Sequence, residues 1–524
     1  MVTLLVTIIT FDIRYITLLA IVDLAVVLYL FVIPKVRARL PKRYIDKDLL
    51  FLIIHLYSLS TGRPHRKRLF ELRNVLGGYG EYERILRRVS VLATNWGYGF
   101  IRAIHYVARY VRHEEFRNFL LRLSEVLRTG EDPVSYLDIE ARSMVRLYEY
   151  AYNRSLDGLK IILALYASIM SATSFMILTL AILAIFTGGD TFLLISSSIL
   201  LSMVVAIMAV AVVVTIPKDW FSPKRIGRAY YFNKYMTLSI LAMLIIVVIG
   251  YYVFSLSSNI MASVASASIP MVIPSIYAIL IEDRIKKINN SLPIFIRSFG
   301  AFYAVLRNQV RALQASLQAE LGTLRKYIER LYSRLSNNIN PRICWKYLGL
   351  ETWNDNLIRV TNIMVDTVEV NGNTAEVGTF LNDVLATLNN LYVARVSIAR
   401  TFEATVYMMQ TLITAIGASL IAILRSFAMY FESLRTLIGA YVPPTALPIS
   451  LSIPNVDAIA LAFSISLLIL AFINAIVLKF AFGGLKETFW THLMVLLFLT
   501  SGAWYAMEYV SKMLVIPILV GITS

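Results

Sequence analysis

Apolar positions in this chain fall into two patterns. In one they recur every three to four residues against a polar background, which is one face of a helix; in the other they run on for about twenty residues. The first pattern fills residues 35–160 and 282–404. Asp48–Ser60 is apolar nearly throughout and stops at the turn Thr61-Gly62-Arg63-Pro64. Tyr82, Ile85, Leu86, Val89 and Leu92 then mark a helical face, and Asn95-Trp96-Gly97 interrupts it. Phe116, Phe119, Leu120, Leu123 and Leu127 form the next stripe, and Leu137, Ala141, Met144, Tyr148 and Ala151 follow. In the second block the stripes are Leu324, Ile328, Leu331 and Leu335; Leu357, Val360, Met364 and Val368; and Val377, Phe380, Leu381, Val384, Leu388 and Leu391. Neither block alternates with period two over a useful length, so both are expected to be all-helical.

The second pattern predicts membrane spans at Ile16–Ile33, Ile161–Thr187, Thr191–Ile216, Met236–Phe254, Ile260–Ile281, Thr405–Leu424, Ala458–Leu478 and Phe489–Ala506. A short tail, Leu514–Ile522, dips in or makes a ninth span. Pro270 and Pro274 predict a kink in the fifth span, since each removes a backbone hydrogen bond. The resulting fold class is an all-α polytopic membrane protein with eight or nine transmembrane helices and two cytoplasmic helical bundles. The expected division is a first span (1–34), a helical domain (35–160), four spans with a basic loop at 217–235 (161–281), a second helical domain (282–404), and C-terminal spans with an outer loop at 425–457 (405–524). Asp12 and Arg14 stand without a basic n-region or small-residue cleavage site, which predicts a retained first helix.

The two blocks read as an internal duplication. Each has a glycine turn about three quarters of the way along, Thr129-Gly130-Glu131-Asp132 and Asn371-Gly372-Asn373, at an offset of 242 residues (372 against 130). Composition agrees with a membrane solvent: 58% of the 524 residues are hydrophobic, 16% are charged, and the mean hydropathy is +0.67. Charge then orients the chain. Residues 35–160 hold 24 Lys and Arg against 14 Asp and Glu, residues 282–403 hold 15 against 11, and the loop 217–235 holds 5 against 1. These segments carry more than the whole net charge of +17, and basic flanks such as Arg37, Arg39, Lys218, Lys224, Arg284 and Lys286 remain cytoplasmic. Both blocks are therefore expected in the cytoplasm and the N-terminus outside.

Candidate chemistry is sparse. No Gly-Lys dipeptide occurs, so the phosphate-cradling P-loop is absent, and Gly77-Gly78-Tyr79-Gly80 reads as a flexible connector. His113-Glu114-Glu115 begins like a zinc-protease helix, but Arg117 stands where the second histidine is required. His105 and His113, beside several arginines, read as solvated surface groups, and His492 as an interfacial one. Cys344 is the single cysteine, leaving neither an internal disulfide nor a cysteine metal cluster. No metal, cofactor or catalytic set is expected. Asp23 lies inside the first span, where a charge is costly and marks either a functional group or a pair with a neighbouring helix. The basic residues Arg63, Arg66, Lys67, Arg68, Arg84, Arg87 and Arg88 form the candidate partner-binding surface. Anionic lipid is one reading of it and an acidic protein face the one placed ahead; nucleic acid, which calls for a known module and aromatic platforms, is set aside.

These residues resemble the type II secretion system F family, the membrane platforms of type IV pilus-like machines. The likeness rests on two helical domains, each leading into spans, and on Leu59-Ser60-Thr61-Gly62-Arg63-Pro64 with Leu69-Phe70, which looks like the family's small-Gly-x-Pro opening. Phe116–Gly130 with Asp132 keeps its helix-then-glycine turn, whereas Leu306-Arg307-Asn308 has neither Gly nor Pro. The number of spans is nearer the archaeal branch, which serves adhesive pili and the archaellum. The resemblance implies a non-enzymatic scaffold that contacts a hexameric secretion ATPase, passes pilin-like subunits into a filament, and works as a homo-oligomer, a dimer being reasonable. Under that reading the seven basic residues meet the ATPase. A transporter is the alternative, though only Asp23 and the Pro270–Pro274 kink resemble its midplane features; a membrane enzyme lacks convergent catalytic residues.

Overall fold

The computed structural model describes residues 46–72, 78–187, 204–205, 207–213, 230–257, 260–438 and 456–523, and its regular elements are all helical. The first bundle comprises α1 (Lys47–Ser60), α2 (Arg66–Phe70), α3 (Glu81–Thr94), α4 (Gly99–Ala108), α5 (Glu114–Thr129) and the start of α6 (Pro133–Thr187). Then come α7 (Tyr230–Ser257) and α8 (Ile260–Ser268). The second bundle comprises α9 (Val272–Leu306), α10 (Gln309–Ser316), α11 (Arg325–Ser336), α12 (Pro341–Thr352), α13 (Asp355–Glu369) and the start of α14 (Thr374–Ile438). α15 (Val456–Phe482) and α16 (Phe489–Thr523) close the chain.

Local sequence sets these boundaries. The Asp46 side chain caps α1 by accepting from the Leu49 N–H at 2.9 Å, and Asn308, Asn340 and Asn354 do the same for α10, α12 and α13. Gly130 ends α5 in the left-handed region at φ 79°, where a side chain would be strained. The stripes read from the sequence face inward: Phe116, Phe119, Leu120, Leu123 and Leu127 are buried on α5, and Leu357, Val360, Met364 and Val368 on α13. α1 goes further, with all twelve residues from Leu49 to Ser60 buried, so both bundles pack around it.

Two helices run from a bundle turn into an apolar, span-length segment without a break. α6 has 55 residues and α14 has 65, about 80 and 100 Å at 1.5 Å per residue. α14 is the spine of the molecule, packing along α9, α6, α15 and α16. Five described helices are long and apolar enough to cross a membrane, and the bent pair α8–α9 makes a sixth. The chain is a multi-pass membrane protein. The expected span Ile16–Ile33, with Asp23, and most of Thr191–Ile216 lie outside the described residues.

Three expectations are refined. The fifth span breaks after Ser268, with Pro270 in the break and Pro274 in the first turn of α9, and the axes bend by 42°. The tail Leu514–Ile522 is no separate dip but the continuation of α16, which runs to Thr523. The outer loop expected at 425–457 is shorter, because α14 stays helical to Ile438; no glycine or proline occurs from Arg425 to Ile438, so nothing there stops it.

The elements of the two bundles follow the same order at a nearly constant spacing. α3, α4, α5 and α6 begin at residues 81, 99, 114 and 133, and α11, α12, α13 and α14 at 325, 341, 355 and 374. Left-handed residues fall in step too, Arg63 at φ 46° after the lead helix α1 and Arg307 at φ 49° after the lead helix α9. Arg307 ends α9 and Asn308 caps α10, so a cap residue turns the chain where the second block lacks Gly and Pro.

Candidate coupling site between the two bundles

The first bundle's Thr61–Gly62 turn is pressed against the second bundle's Val370–Gly372 turn. A Cβ added at Gly62 would lie 2.3 Å from the Val370 carbonyl oxygen, and one at Gly372 would lie 2.5 Å from Thr61 Oγ1. Only residues without a side chain allow two backbones so close. Thr61 Oγ1 accepts from the Asn373 N–H at 3.1 Å, and the Tyr57 hydroxyl donates to Glu376 Oε1 at 2.7 Å. Burial, then the Glu376 carboxylate, pushes the Tyr57 hydroxyl far above its ordinary range, so it remains a donor.

Two buried ionic clusters extend this contact along α1 and α13. In the first, His55 Nε2 lies 3.0 Å from Asp366 Oδ2 with both side chains fully buried, and Arg68 Nη2 donates to Asp366 Oδ1 at 2.9 Å. The Tyr79 hydroxyl is 3.0 Å from His55 Nδ1, and Arg68 also lies 3.6 Å from Glu369. In the second, Arg359 donates to Asp48 at 2.6 Å and to Asp355 at 2.9 Å, while Lys47 donates to Asp355 at 3.0 Å. Burial acts to raise both carboxyl groups, but the neighbouring cations outweigh it. Lys47 and Arg359 hold Asp355 at about 2, and His55 and Arg68 hold Asp366 at about 2. These pairs link residues about 300 positions apart and fix the bundles at one mutual angle.

The basic residues singled out in the sequence divide in two. Arg68 does not belong to an open binding face: its side chain is 14% exposed and committed to Asp366 and Glu369. The correction has a physical cause, since the fully buried Asp366 carboxylate takes the Arg68 guanidinium as its partner at 2.9 Å. Arg63, Arg66, Lys67, Arg84, Arg87 and Arg88 are on the surface or partly so. Arg63 lies 3.8 Å from Asp132, and Arg63 and Arg66 line one wall of a groove of about 540 Å³ whose other wall is Val126, Leu127 and the Gly130–Val134 turn. Lys67 is 4.0 Å from Glu71.

Tyr79 is the residue that sequence reasoning missed. The Gly-rich stretch is not a slack connector at its described end: Gly78 and Gly80 have φ of 63° and 69°, and they place a buried ring between His55 and Arg359. A lone tyrosine flanked by glycines was the available signal. His105 is 3.1 Å from Ser124 Oγ, and His113 accepts from the Phe116 N–H as the cap of α5. Neither is a merely solvated group. No set of three metal-capable side chains occurs among the described residues.

A second polar region lies where the spans meet. The Gly483–Gly484 turn between α15 and α16, with φ of 70° and 71°, is clasped by α9 and α14 of the second bundle. Arg395 of α14 donates to the Ala481 and Phe480 carbonyls at 2.9 and 2.7 Å, Glu282 of α9 accepts from the Leu485 N–H at 3.3 Å, and Lys479 donates to the Gly483 carbonyl. Among the spans, Tyr166 of α6 donates to Asn474 of α15. Asn474 donates to Gln410 of α14 at 2.9 Å, and Gln410 donates to Thr500 of α16 at 3.1 Å. His492, expected at the interface, lies 3.2 Å from Glu403, which also accepts from Tyr407.

No family model and no solved structure matches the chain. Known proteins do. It is 24% identical over 496 residues to flagella accessory protein J of Methanocaldococcus jannaschii, covering 91% of this chain and 86% of that protein. The chain is a homologue of flagella accessory protein J. The protein of the same name from Methanococcus voltae is 25% identical over 329 residues, 59% of this chain and 58% of that protein. The first alignment is long enough to take in both bundles as well as spans, so the likeness extends to the whole architecture and not to one motif.

Proposed function

We propose that this protein is the integral membrane platform of an archaellum-type filament machine, a scaffold and not an enzyme. The observation that carries this reading is the alignment with flagella accessory protein J over 91% of the chain. Under it, both bundles lie in the cytoplasm, the N-terminus lies outside, and the bundles arose by duplication of one six-helix unit. The shared element order at offsets of 241–244 residues supports the last point. A hexameric secretion ATPase drives the bundles from below, and pilin-like subunits pass from the bilayer into the filament beside the spans. The candidate ATPase contact comprises Arg63, Arg66, Lys67, Arg84, Arg87 and Arg88, without Arg68. The platform works as a dimer.

Mechanically, the two unbroken helices α6 and α14 supply the path. Displacement of either bundle is carried into the bilayer by the same rod, and the buried ionic clusters oblige the bundles to move as one body. The experiment is deletion of the gene in its host, with electron microscopy of the cell surface and complementation by the tagged chain. Loss of filaments, restored by the tagged chain together with co-purification of a secretion-type ATPase, is expected. Intact filaments on deleted cells overturn the reading.

A further inference from the structure

We infer that the outer face of α4 is a docking site for the carboxylate-rich surface of a protein partner. Tyr98, Arg102, Tyr106 and Arg109, at intervals of four, four and three, lie on one face of the helix and its leading turn. Tyr110 continues the row: ring centroids are 6.5 Å apart between Tyr98 and Tyr106 and 5.6 Å between Tyr106 and Tyr110. Trp96, in the preceding turn, is 70% exposed and Tyr110 71%. Nothing in the described structure covers that turn, where a Cβ on Gly97 or Gly99 would meet no atom within 4 Å.

Charge and position name the partner's chemistry. From Arg84 to His113 there are six arginines, no lysine and no acidic residue. Exposed Tyr and Trp among Arg, with Lys missing, is the composition of the energetic centre of a protein interface. The planar guanidinium pairs with a carboxylate through two parallel hydrogen bonds, which a lysine cannot do. A polybasic lipid site has no need of that exclusion, because it works with point charges. α4 packs chiefly on α3 and α5, and Arg102, Tyr106, Arg109 and Tyr110 are on its exposed face.

The second bundle supplies an internal comparison. Moved by the 241 residues that separate α5 from α13 and α6 from α14, the buried Ala103, Ile104, Val107 and Ala108 fall on the buried Cys344, Trp345, Leu348 and Gly349, while Tyr98, Arg102, Tyr106 and Arg109 fall on Ile339, Ile343, Tyr347 and Leu350. The same helix face is open in both copies, but at the matching positions the second carries no arginine. The tyrosine–arginine row is therefore no requirement of the fold.

The inference deepens the platform reading and rests on it, the partner being the secretion-type ATPase. The test uses the full chain in lipid nanodiscs and the purified ATPase encoded by the same genome, with the dissociation constant measured by interferometry at two salt concentrations. Expected are at least tenfold weaker binding for Arg102→Glu/Arg109→Glu and for Tyr106→Ala/Tyr110→Ala, with unchanged melting temperature. The double charge reversal should also flatten the salt dependence, while the control Arg311→Glu/Lys346→Glu, of equal charge change, binds as wild type. Wild-type binding that both stripe variants retain overturns the docking site and leaves the platform reading standing. A wild type that does not bind the ATPase overturns both. If the stripe variants lose affinity only for vesicles containing anionic phospholipid, or only for RNA, the protein-docking assignment falls.

Discussion

The two bundles share a plan and differ in what they do with it. Both keep a glycine turn before their last helix, Gly130 and Gly372, but the first adds Gly62, Gly78 and Gly80 where the second turns at Arg307 and caps its helices with Asn308, Asn340 and Asn354. The first exposes a tyrosine–arginine row on α4; the matching face of α12 carries Ile343 and Tyr347 and no arginine in step with the row, while its inner face sets Trp345 edge to face on Phe299 at 5.3 Å. The first carries a net charge of +10 and the second +4. Their lead helices differ most. α9 continues out of the membrane, while α1 is buried along its length and held from the other bundle by Asp355, Arg359 and Asp366. What this teaches is a division of labour: the second bundle is the frame, and the first is seated in it with one face left for a partner.

The most damaging way to break that seating is Asp366→Asn. It leaves Arg68 and His55 facing each other without the carboxylate, and removal of one member of a buried ionic set costs about 3–5 kcal/mol. Thermal unfolding in mild detergent should show the loss, and an unchanged midpoint would remove Asp366 from the joint. Acid comes next. Asp366 and Asp355 are both held at about 2, below the ordinary carboxyl value of 3.8. Their stabilisation is complete above about pH 4 and disappears as the pH falls from there through about 2, at roughly 2 kcal/mol each. Hydrogen exchange should report α1 and α13 loosening before α11 and α12 on acidification; simultaneous loosening would contradict this. Gly62→Ala drives a Cβ into the Val370 carbonyl, and overpacking of this kind costs about 1–3 kcal/mol. The alanine should lower the melting midpoint, whereas Gly158→Ala, with nothing within 4 Å of its Cβ, should not; equal effects would discard the close-approach argument. The smallest effect is expected inside the spans. Gln410→Leu removes the link between Asn474 and Thr500, and membrane hydrogen bonds are worth about 0.6–2 kcal/mol. A shift larger than that of Asp366→Asn would mean that the spans, not the bundles, govern stability.

Much of the frame was legible because it depends on periodicity. The stripes on α5, α11 and α13 lie inside as written, and the kink at Pro270–Pro274 follows from the missing backbone donors. The joint was not legible in the same way. Arg66, Lys67 and Arg68 are consecutive and look alike in sequence, yet Lys67 is solvated while Arg68 reaches Asp366, about 300 residues away. Pairing at that separation is set by tertiary packing and leaves no local spacing to read. Tyr79 was hidden for the opposite reason: glycine-rich surroundings suggest slack, although the same glycines permit the positive φ angles that aim a ring into a core. The row on α4 stood in the open as Tyr98, Arg102, Tyr106 and Arg109, but only exposure distinguishes such a row from a core stripe.

The long separation across the joint has a consequence for biosynthesis. α1 emerges from the ribosome as an almost wholly apolar segment, and its neighbours on α13 and at Glu376 are translated about 300 residues later. At roughly 5–20 residues per second that interval is about 15–60 s. Throughout it the newborn first bundle can pack Leu49–Leu59 on its own α6 but lacks α13 on the other side. The order of translation thus makes the second bundle the chaperone of the first.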